Sequence, residues 1–157
     1  MLDGRAVTAP GGSPLKVHSD PLEVSSDGAW LFFGPLEGPW SRVPTRLLDD
    51  PSVAPYVLAA AVEPWADLPP VGGTAMGADG SLYFTELATD SVKVRRPDGR
   101  IETLASDPAL HWVDAPFLAP DGRLWLPVAQ MDRVALFHRG VSQTRWPITL
   151  LTLETKR

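Results

Sequence analysis

The chain has 157 residues, of which 44% are hydrophobic and 21% are charged, and its formal net charge is -5. This composition is typical of a folded, water-soluble domain, and the acidic balance argues against a nucleic-acid partner, which needs a basic face. No apolar run approaches the roughly 20 residues of a membrane span, so no membrane partner is expected. The absence of Cys excludes disulfides, thiolate metal ligands and Cys nucleophiles.

An Asp-Gly turn that leads into an apolar strand occurs three times in the chain, in Ser26–Phe33, Ala78–Thr85 and Pro120–Pro127. Such a turn between apolar runs predicts a hairpin, because Gly readily takes the positive φ that a tight turn needs. Turn chemistry accounts for the Asp of each Asp-Gly pair, so these side chains are interpreted as structural. A hairpin that recurs at roughly 40–50 residues is typical of the blades of a β-propeller.

The first blade is expected over approximately residues 15–62. Thr45 is a suitable N-cap for one or two helical turns, which Pro51 would end. Tyr56–Val62 is predicted to return as the outer strand, although its three Ala residues would also tolerate a helix. The strands predicted before this excursion are Leu22–Ser25, Trp30–Gly34 and Trp40–Val43.

The second blade is expected over approximately residues 73–105 and the third over approximately residues 113–153. The last strand of the third blade is apolar on both faces, which predicts that it is buried or paired on both sides. The strands predicted in the second blade are Thr74–Gly77, Leu82–Glu86, Ser91–Arg95 and Ile101–Leu104, and those in the third are Val113–Leu118, Leu124–Val128, Arg133–Phe137 and Ile148–Leu153.

Together these elements predict an all-β fold, in which a single domain over residues 1–157 forms three four-stranded antiparallel blades, or half of a six-bladed β-propeller. Three blades cannot close a ring, and an open half-propeller exposes two large apolar blade faces, which soluble monomers avoid. Two interpretations follow. Either the chain is a piece of a longer protein, or two copies form a homodimer that completes a six-bladed ring.

The segment Asp20–Asp50 carries an Asp before the inner strand, a D-G-x-W-L hairpin that ends in G-P-L, and the run R-V-P-T-x-x-L. It resembles the bacterial branch of the major royal jelly protein and Yellow family, which includes dopachrome-conversion proteins. Met76–Phe84 and Trp112–Asp114 are similar to further motifs of that family, the latter with Val in place of Pro. The resemblance covers roughly Leu15 to the end of the chain, and it implies the C-terminal half of a six-bladed propeller that binds a small organic ligand.

The first five residues lack the apolar core of a secretory signal, so the chain as given is expected in the cytoplasm. In the family that the chain resembles, the usual secretory signal would lie in the half that is not matched. A secreted or periplasmic location is therefore expected if the N-terminus is truncated.

Propeller ligands usually bind at one end of the central channel, beside the inner strands and the loops that adjoin them. By position, the candidates there are Asp20, Glu23, Gly73, Thr74, Glu86, Trp112, Asp114 and Gln130. Five of them are predicted to bind a small-molecule ligand: Asp20, Thr74, Trp112, Asp114 and Gln130.

Asp114 and Trp112 offer the most specific chemistry in this set. Asp114 could bond a ligand amine or hydroxyl, or act as a general base if burial raised its pKa; alternatively, it caps a loop through backbone N–H groups. Trp112 could stack on an aromatic or cationic ligand, or it packs between blades. An aromatic amine would suit the pair, through stacking and a charge-assisted hydrogen bond.

His18, His111 and His138 are not spaced as metal ligands, although His111 adjoins Trp112 and Asp114. The chain also has no Asn, whereas gluconolactonase-type propellers hold a divalent cation with Glu, Asp and two Asn. No metal site and no cofactor is therefore expected. Two alternatives to a binding protein remain open: a lactonase-like hydrolase or dopachrome-type isomerase that uses a channel carboxylate, and a structural or interaction module without a ligand.

Overall fold

The structure, a computed structural model, describes residues 8–9, 11–14 and 16–155. Its strands form three separate antiparallel sheets, with four strands in each of the first two and three in the third. The all-β fold of three antiparallel blades is therefore confirmed. The strands are β1 (Ser19–Val24), β2 (Trp30–Pro35), β3 (Trp40–Pro44) and β4 (Glu63–Ala66) in the first sheet, β5 (Val71–Met76), β6 (Leu82–Glu86), β7 (Ser91–Arg95) and β8 (Ile101–Ser106) in the second, and β9 (Phe117–Leu118), β10 (Arg123–Pro127) and β11 (Leu150–Glu154) in the third.

The Asp-Gly turns have the structural role that the sequence predicts. In each of the four Asp-Gly turns among the described residues, the Asp carboxylate accepts a hydrogen bond from the backbone N–H two residues later, at 2.9 or 3.0 Å. The Gly that follows takes a positive φ between 72° and 90°, which L side chains rarely adopt. These turns are Asp27-Gly28, Asp79-Gly80, Asp98-Gly99 and Asp121-Gly122.

The first blade differs from the prediction in its outer part. Tyr56–Val62 does not form the outer strand, because α2 (Pro55–Ala60) occupies most of this segment and β4 follows it. The Ala-rich run tolerates a helix, and Pro in the first turn is already held at a helical φ. Leu15, near which the first blade was expected to begin, lies outside the described residues.

The short helix α1 (Thr45–Leu48) forms where it was expected, but its predicted cap is wrong. Pro44 occupies the N-cap position, and the Thr45 hydroxyl instead donates to the carbonyl oxygen of Gly28 at 2.5 Å, which ties the helix to the first Asp-Gly turn. Among the described residues, no helix has the length and apolar character needed to cross a bilayer.

The second blade contains all four strands at the predicted places. The middle two have the predicted bounds, β5 begins three residues earlier than expected at Val71, and β8 extends to Ser106. This blade is the best match to the prediction because its strands follow one another through short turns.

The third blade has three strands instead of four. The predicted strand Arg133–Phe137 is wrong, because this segment forms two single turns of 3-10 helix. β11 pairs directly with β10 and lies at the edge of the sheet, so the prediction that it is buried or paired on both sides is also wrong. The predicted inner strand Val113–Leu118 is reduced to β9 and an isolated bridge at Val113.

Two apolar clusters hold the blades together, one on each face of the second blade. Full burial of a side chain such as Leu or Phe contributes about 1.5–3 kcal/mol relative to exposure, so these clusters fix the order of the sheets. The cluster between the first and second blades contains Phe32, Trp40, Leu68, Val71, Leu82 and Phe84. The cluster between the second and third contains Ala75, Tyr83, Val92, Val94, Leu110, Val113, Leu124, Leu126 and Val128.

Candidate ligand-binding site

The inner strands β1, β5 and β9 lie side by side, as the channel wall of a propeller requires. Two glycines at the start of β5 permit the close approach of the segment before β9. A Cβ at Gly72 would lie 2.4 Å from the carbonyl oxygen of Val113, and one at Gly73 would lie 2.5 Å from the backbone nitrogen of Ala115. Any side chain at either position would therefore push Asp114 away from β5.

Thr85 of β6 fixes this approach with hydrogen bonds. Its buried hydroxyl accepts from the N–H of Gly73 at 3.0 Å and donates to the carbonyl oxygen of Val113 at 2.8 Å. The N–H of Asp114 donates to the carbonyl oxygen of Pro127 at 3.0 Å. The backbone on both sides of the Asp114 carboxyl group is thus held by neighbouring strands.

The carboxyl group of Asp114 lies in a partly buried, acidic environment. Burial raises its pKa, a hydrogen bond from the Ala115 N–H opposes that rise, and the negative charge of Asp20 adds to it. The structure therefore brings Asp20 and Asp114 close enough for their charges to interact, although 94 positions separate them in the sequence. We call the surface around Asp20 and Asp114 the channel mouth, and we include the candidate Thr74 because it follows Gly73, which lies against Ala115.

Thr74 is engaged by a second carboxylate, that of Glu23. Burial raises the pKa of Glu23, and hydrogen bonds from the Thr74 side chain and the Met76 backbone partly offset this rise. Glu23 was a positional candidate but not one of the five predicted ligand-binding residues. Glu23 is opposite Phe32 in the ladder, which puts it on the face of β1 that packs against β5. The alternation of side chains between the two faces of β1 was the signal that could have identified Glu23.

Gln130 is almost fully buried, with 4% of its surface exposed, and its side chain is used internally. Its amide oxygen accepts from Arg133 at 2.7 Å and from the Arg145 N–H at 3.0 Å, and its amide nitrogen donates to the carbonyl oxygen of Arg145 at 3.0 Å. These bonds fasten the irregular segment after β10. A ligand contact by Gln130 stays a prediction, and such a contact would compete with this arrangement.

Trp112 takes a left-handed backbone conformation, with φ of 50°. Its carbonyl oxygen accepts from the N–H groups of Ala129 and Gln130 at 3.0 and 3.3 Å. This backbone anchor precedes Asp114 by two residues and fixes the turn that presents it. The indole is partly exposed, and stacking on a ligand stays a prediction.

His111 connects the second and third blades. Its Nδ1 lies 3.0 Å from a carboxylate oxygen of Asp90, and its Nε2 lies 3.0 Å from one of Asp132. Both partners are acceptors, so an imidazole that carries both protons can donate to each of them. Sequence reasoning missed this bridge, because both partners lie 21 residues from His111.

Glu86 has a structural environment. Burial acts to raise its pKa, but the ion pair with Lys93 and hydrogen bonds from Thr89 and Ser91 outweigh burial and hold the pKa below its ordinary value. Within the described part of the chain, no group of three or more His, Asp or Glu side chains is arranged to hold a metal ion.

A cleft of about 650 Å³ lies at the other end of the inner strands. The final residues of the three inner strands, Val24, Met76 and Leu118, contribute to its lining, together with Asp79 and Arg96. None of the five predicted ligand-binding residues lines it. The channel therefore has an acidic mouth at one end and a mixed polar and apolar cleft at the other.

No protein-family model and no curated protein matches the sequence. Solved structures do match the fold. The chain superposes on a candidate gluconolactonase with a TM-score of 0.55 at 14% identity, over 96% of this chain and 48% of that one. It superposes on the calcium-binding protein regucalcin from Agrobacterium tumefaciens with a TM-score of 0.52 at 19% identity, over 76% of this chain and 42% of that one.

A third match is a catalytically inactive variant of virginiamycin B lyase from Staphylococcus aureus with quinupristin, with a TM-score of 0.51 at 13% identity, over 90% of this chain and 42% of that one. Identities this low establish the fold alone. The three sheets are therefore blades of a β-propeller, and the chain spans less than half the length of each of these three structures.

Proposed function

We propose that the chain binds a small organic cation, with an aromatic amine as the representative ligand, at the channel mouth. The observation that carries the proposal is the approach of Asp20 to the partly buried Asp114. Burial and mutual repulsion both disfavour the ionised form of Asp114. An ammonium group bound between the two carboxylates would relieve the repulsion and gain charge-assisted hydrogen bonds.

Two further features support an amine that carries an aromatic ring. Trp112 lies two residues before Asp114 and offers a stacking surface to the ring. The resemblance of Asp20–Asp50 to the major royal jelly protein and Yellow family favours a small organic ligand over a macromolecule. In this proposal Asp20 and Asp114 bind the ammonium group, and the Thr74 side chain holds Glu23 on the neighbouring part of β1.

The test compares two ligands of the same shape, 2-phenylethylamine and 2-phenylethanol, by isothermal titration calorimetry. We expect saturable binding of the amine and at least about tenfold weaker binding of the alcohol, because hydrogen bonds to charged groups contribute about 1.5–3 kcal/mol. Asp114→Asn should weaken amine binding by about 10–100-fold. Asp49→Asn, which removes an exposed carboxylate from the loop after α1, is the matched control and should leave it unchanged.

Equal binding of amine and alcohol would contradict the proposal, as would amine binding that Asp114→Asn leaves unaltered. If the folded chain binds neither compound, a structural or interaction module becomes the better account of this domain.

A lactonase-like hydrolase is the second candidate. The similarity of nearly the whole chain to a candidate gluconolactonase favours it, and so does the raised pKa of Asp114, which brings a carboxylate closer to the pH at which it works as a base. The Asp114 carboxylate would take a proton from water as the water oxygen attacks the lactone carbonyl. The ring C–O bond would then break, and the same proton would pass to the leaving oxygen, which gives the hydroxy acid.

Hydrolysis of gluconolactone, followed as acid release in a pH-stat, tests this candidate. The rate should rise with pH through the raised pKa of Asp114, and Asp114→Asn should lose about 100-fold or more in kcat, the typical contribution of a general base. Amine binding without lactone turnover would leave the binding proposal standing alone, whereas turnover that survives Asp114→Asn would exclude this mechanism.

A further inference from the structure

The first and third blades each have one face that no other blade covers. In an antiparallel pair, directly opposed residues point to the same side of the sheet. Glu23 is opposite Phe32, which packs in the cluster shared with the second blade. The neighbouring pairs must therefore point away from the second blade. We call this side of the sheet the first open face.

The first open face is apolar at its centre. Its exposed part carries the pairs Leu22 with Phe33 and Val24 with Leu31, whereas Val43, which is opposite Leu31 on the same side, is already buried. On the inner strand, Leu22 is 59% exposed and Val24 is 48% exposed. A strand face that is meant for water is polar, so this composition indicates a surface that another element covers.

The second open face, on the third blade, follows from the same reasoning. Leu124 and Leu126 point into the cluster with the second blade, so Trp125 and its partner Phe117 point away from it. Pro127 is opposite Leu150 on the same side. Phe117 is 61% exposed and Leu150 is 56% exposed, so the second open face is also apolar at its centre.

We propose that the two open faces pack on each other between two copies of this chain, and that the resulting dimer is a closed ring of six blades. The first open face of one copy would cover the second open face of its partner. A two-fold rotation repeats the same contact on the other side, so the assembly closes and leaves neither face exposed. In each contact β1 of one copy lies beside β9 of its partner.

Two observations favour a second copy over a different protein. Each open face has an apolar stretch beside its inner strand that the other can cover, and the Arg123–Glu154 ion pair of the second open face lies at the end of that sheet. The new contact repeats the arrangement that already places β1 beside β5 and β5 beside β9.

The dimer would also complete the channel mouth. Asp20 lies on the first inner strand and Asp114 lies just before the third. Each contact between copies would therefore place Asp20 of one copy beside the partner's Asp114. The ring would then present two equivalent acidic pairs across the contacts in addition to the pair within each copy. This inference depends on the open faces and not on the identity of any ligand.

Size-exclusion chromatography with light scattering tests the proposal on the whole 157-residue chain. The expected mass is twice 17.0 kDa. Phe117→Glu should weaken dimerisation by about 100-fold or more, because it buries a carboxylate without a partner. Phe117 is mostly exposed within one copy, so circular dichroism should show an unchanged fold. Ile101→Glu, on the outer edge of the second blade, is the matched control and should remain dimeric.

Cysteine cross-linking then tests which faces meet, since the chain has no Cys of its own. With a short bis-maleimide, the double variant Val24→Cys and Phe117→Cys should yield a covalent dimer, and each single variant should not. A folded monomer, an open series of larger assemblies, or efficient cross-linking of a single variant would overturn the proposal. Binding of an amine by a folded monomer would do so too, while leaving the proposed function intact.

Discussion

The second and third blades bury their strands in different ways. In the second blade, Leu82–Thr85 are all buried, because the first blade packs on one face and the third on the other. In the third blade, only the alternate residues Leu124 and Leu126 of β10 are buried, because one face has a neighbour and the other has none. The burial pattern of the middle strand thus tells how many blades its sheet contacts.

The two blades also differ in what holds their outer parts. In the second blade a continuous ladder runs from β5 to β8. In the third, the residues between β10 and β11 form no strand and are fastened by the Gln130 amide and by the bridge of His111 to Asp132. The backbone ladder should therefore stabilise the outer part of the second blade, and polar side-chain contacts should stabilise that of the third.

The largest effect is expected from Phe84→Ala, which empties a fully buried site between the first and second blades. The free energy of unfolding in urea should fall by about 3–5 kcal/mol, the usual range for removing a core Phe. Leu136→Ala, in the exposed 3-10 segment of the third blade, should change it by no more than about 0.5 kcal/mol. A large loss from Leu136→Ala would mean that this segment is packed like a strand.

Thr85→Val should have the next largest effect. The variant keeps the shape of the side chain but leaves the N–H of Gly73 and the carbonyl oxygen of Val113 without their hydroxyl partner. Unfolding in urea should show a loss of about 1–3 kcal/mol. Thr103→Val, at an exposed site in β8, is the control. If the two variants are equally stable, the hydroxyl does not hold the segment that presents Asp114.

His111→Ala should lower the free energy of unfolding by about 1–2 kcal/mol, because it removes the partly buried bridge between Asp90 and Asp132. Hydrogen exchange should accelerate mainly in the segment after β10, which the bridge fastens. His18→Ala, at an exposed position, should have no such effect. Equal acceleration of hydrogen exchange in the second blade would contradict a role of His111 that is confined to the segment after β10.

The smallest effect concerns pH. The pKa of Asp114 is raised in the folded chain, so its carboxylate lowers stability at neutral pH. This penalty should shrink as the pH falls through the raised pKa and vanish below the ordinary value of 3.8. Asp114→Asn should raise stability at pH 7 by less than about 1 kcal/mol, since solvent screens a partly exposed group. If the free energy of unfolding depends on pH as strongly in Asp114→Asn as in the wild type, the pKa of Asp114 is not raised in the folded chain.

The parts of the fold that local chemistry determines could be predicted from the sequence. The Asp-Gly turns and the strands of the second blade depend on neighbours within a few residues, and all of them were found where expected. The outer strand of the first blade was misplaced because the Ala-rich run at 56–62 fits a helix as well as a strand. The predicted strand Arg133–Phe137 was wrong because Gln130, with a φ of 53°, turns the chain just before it. The Gln130 side chain is held by hydrogen bonds to the Arg145 backbone, which is distant in sequence.

In the candidate site, too, some features could be predicted from local sequence and others depend on distant contacts. Asp20, Thr74 and Asp114 could be chosen from their places beside predicted inner strands, and the structure brings Asp20 close enough to Asp114 for their charges to interact. The proximity of Asp20 to Asp114 and the pairing of Glu23 with Thr74 depend on contacts between blades, which a single sequence does not reveal.

The most direct test of the account is an NMR titration of the Asp114 side-chain carboxyl carbon in the wild-type chain and in Asp20→Asn. We predict a pKa above the ordinary 3.8 in the wild type and a shift back toward that value in the variant, because the charge of Asp20 contributes to the rise. An Asp114 pKa that is ordinary, or that Asp20→Asn leaves unchanged, would contradict the convergence of the two carboxylates at the channel mouth.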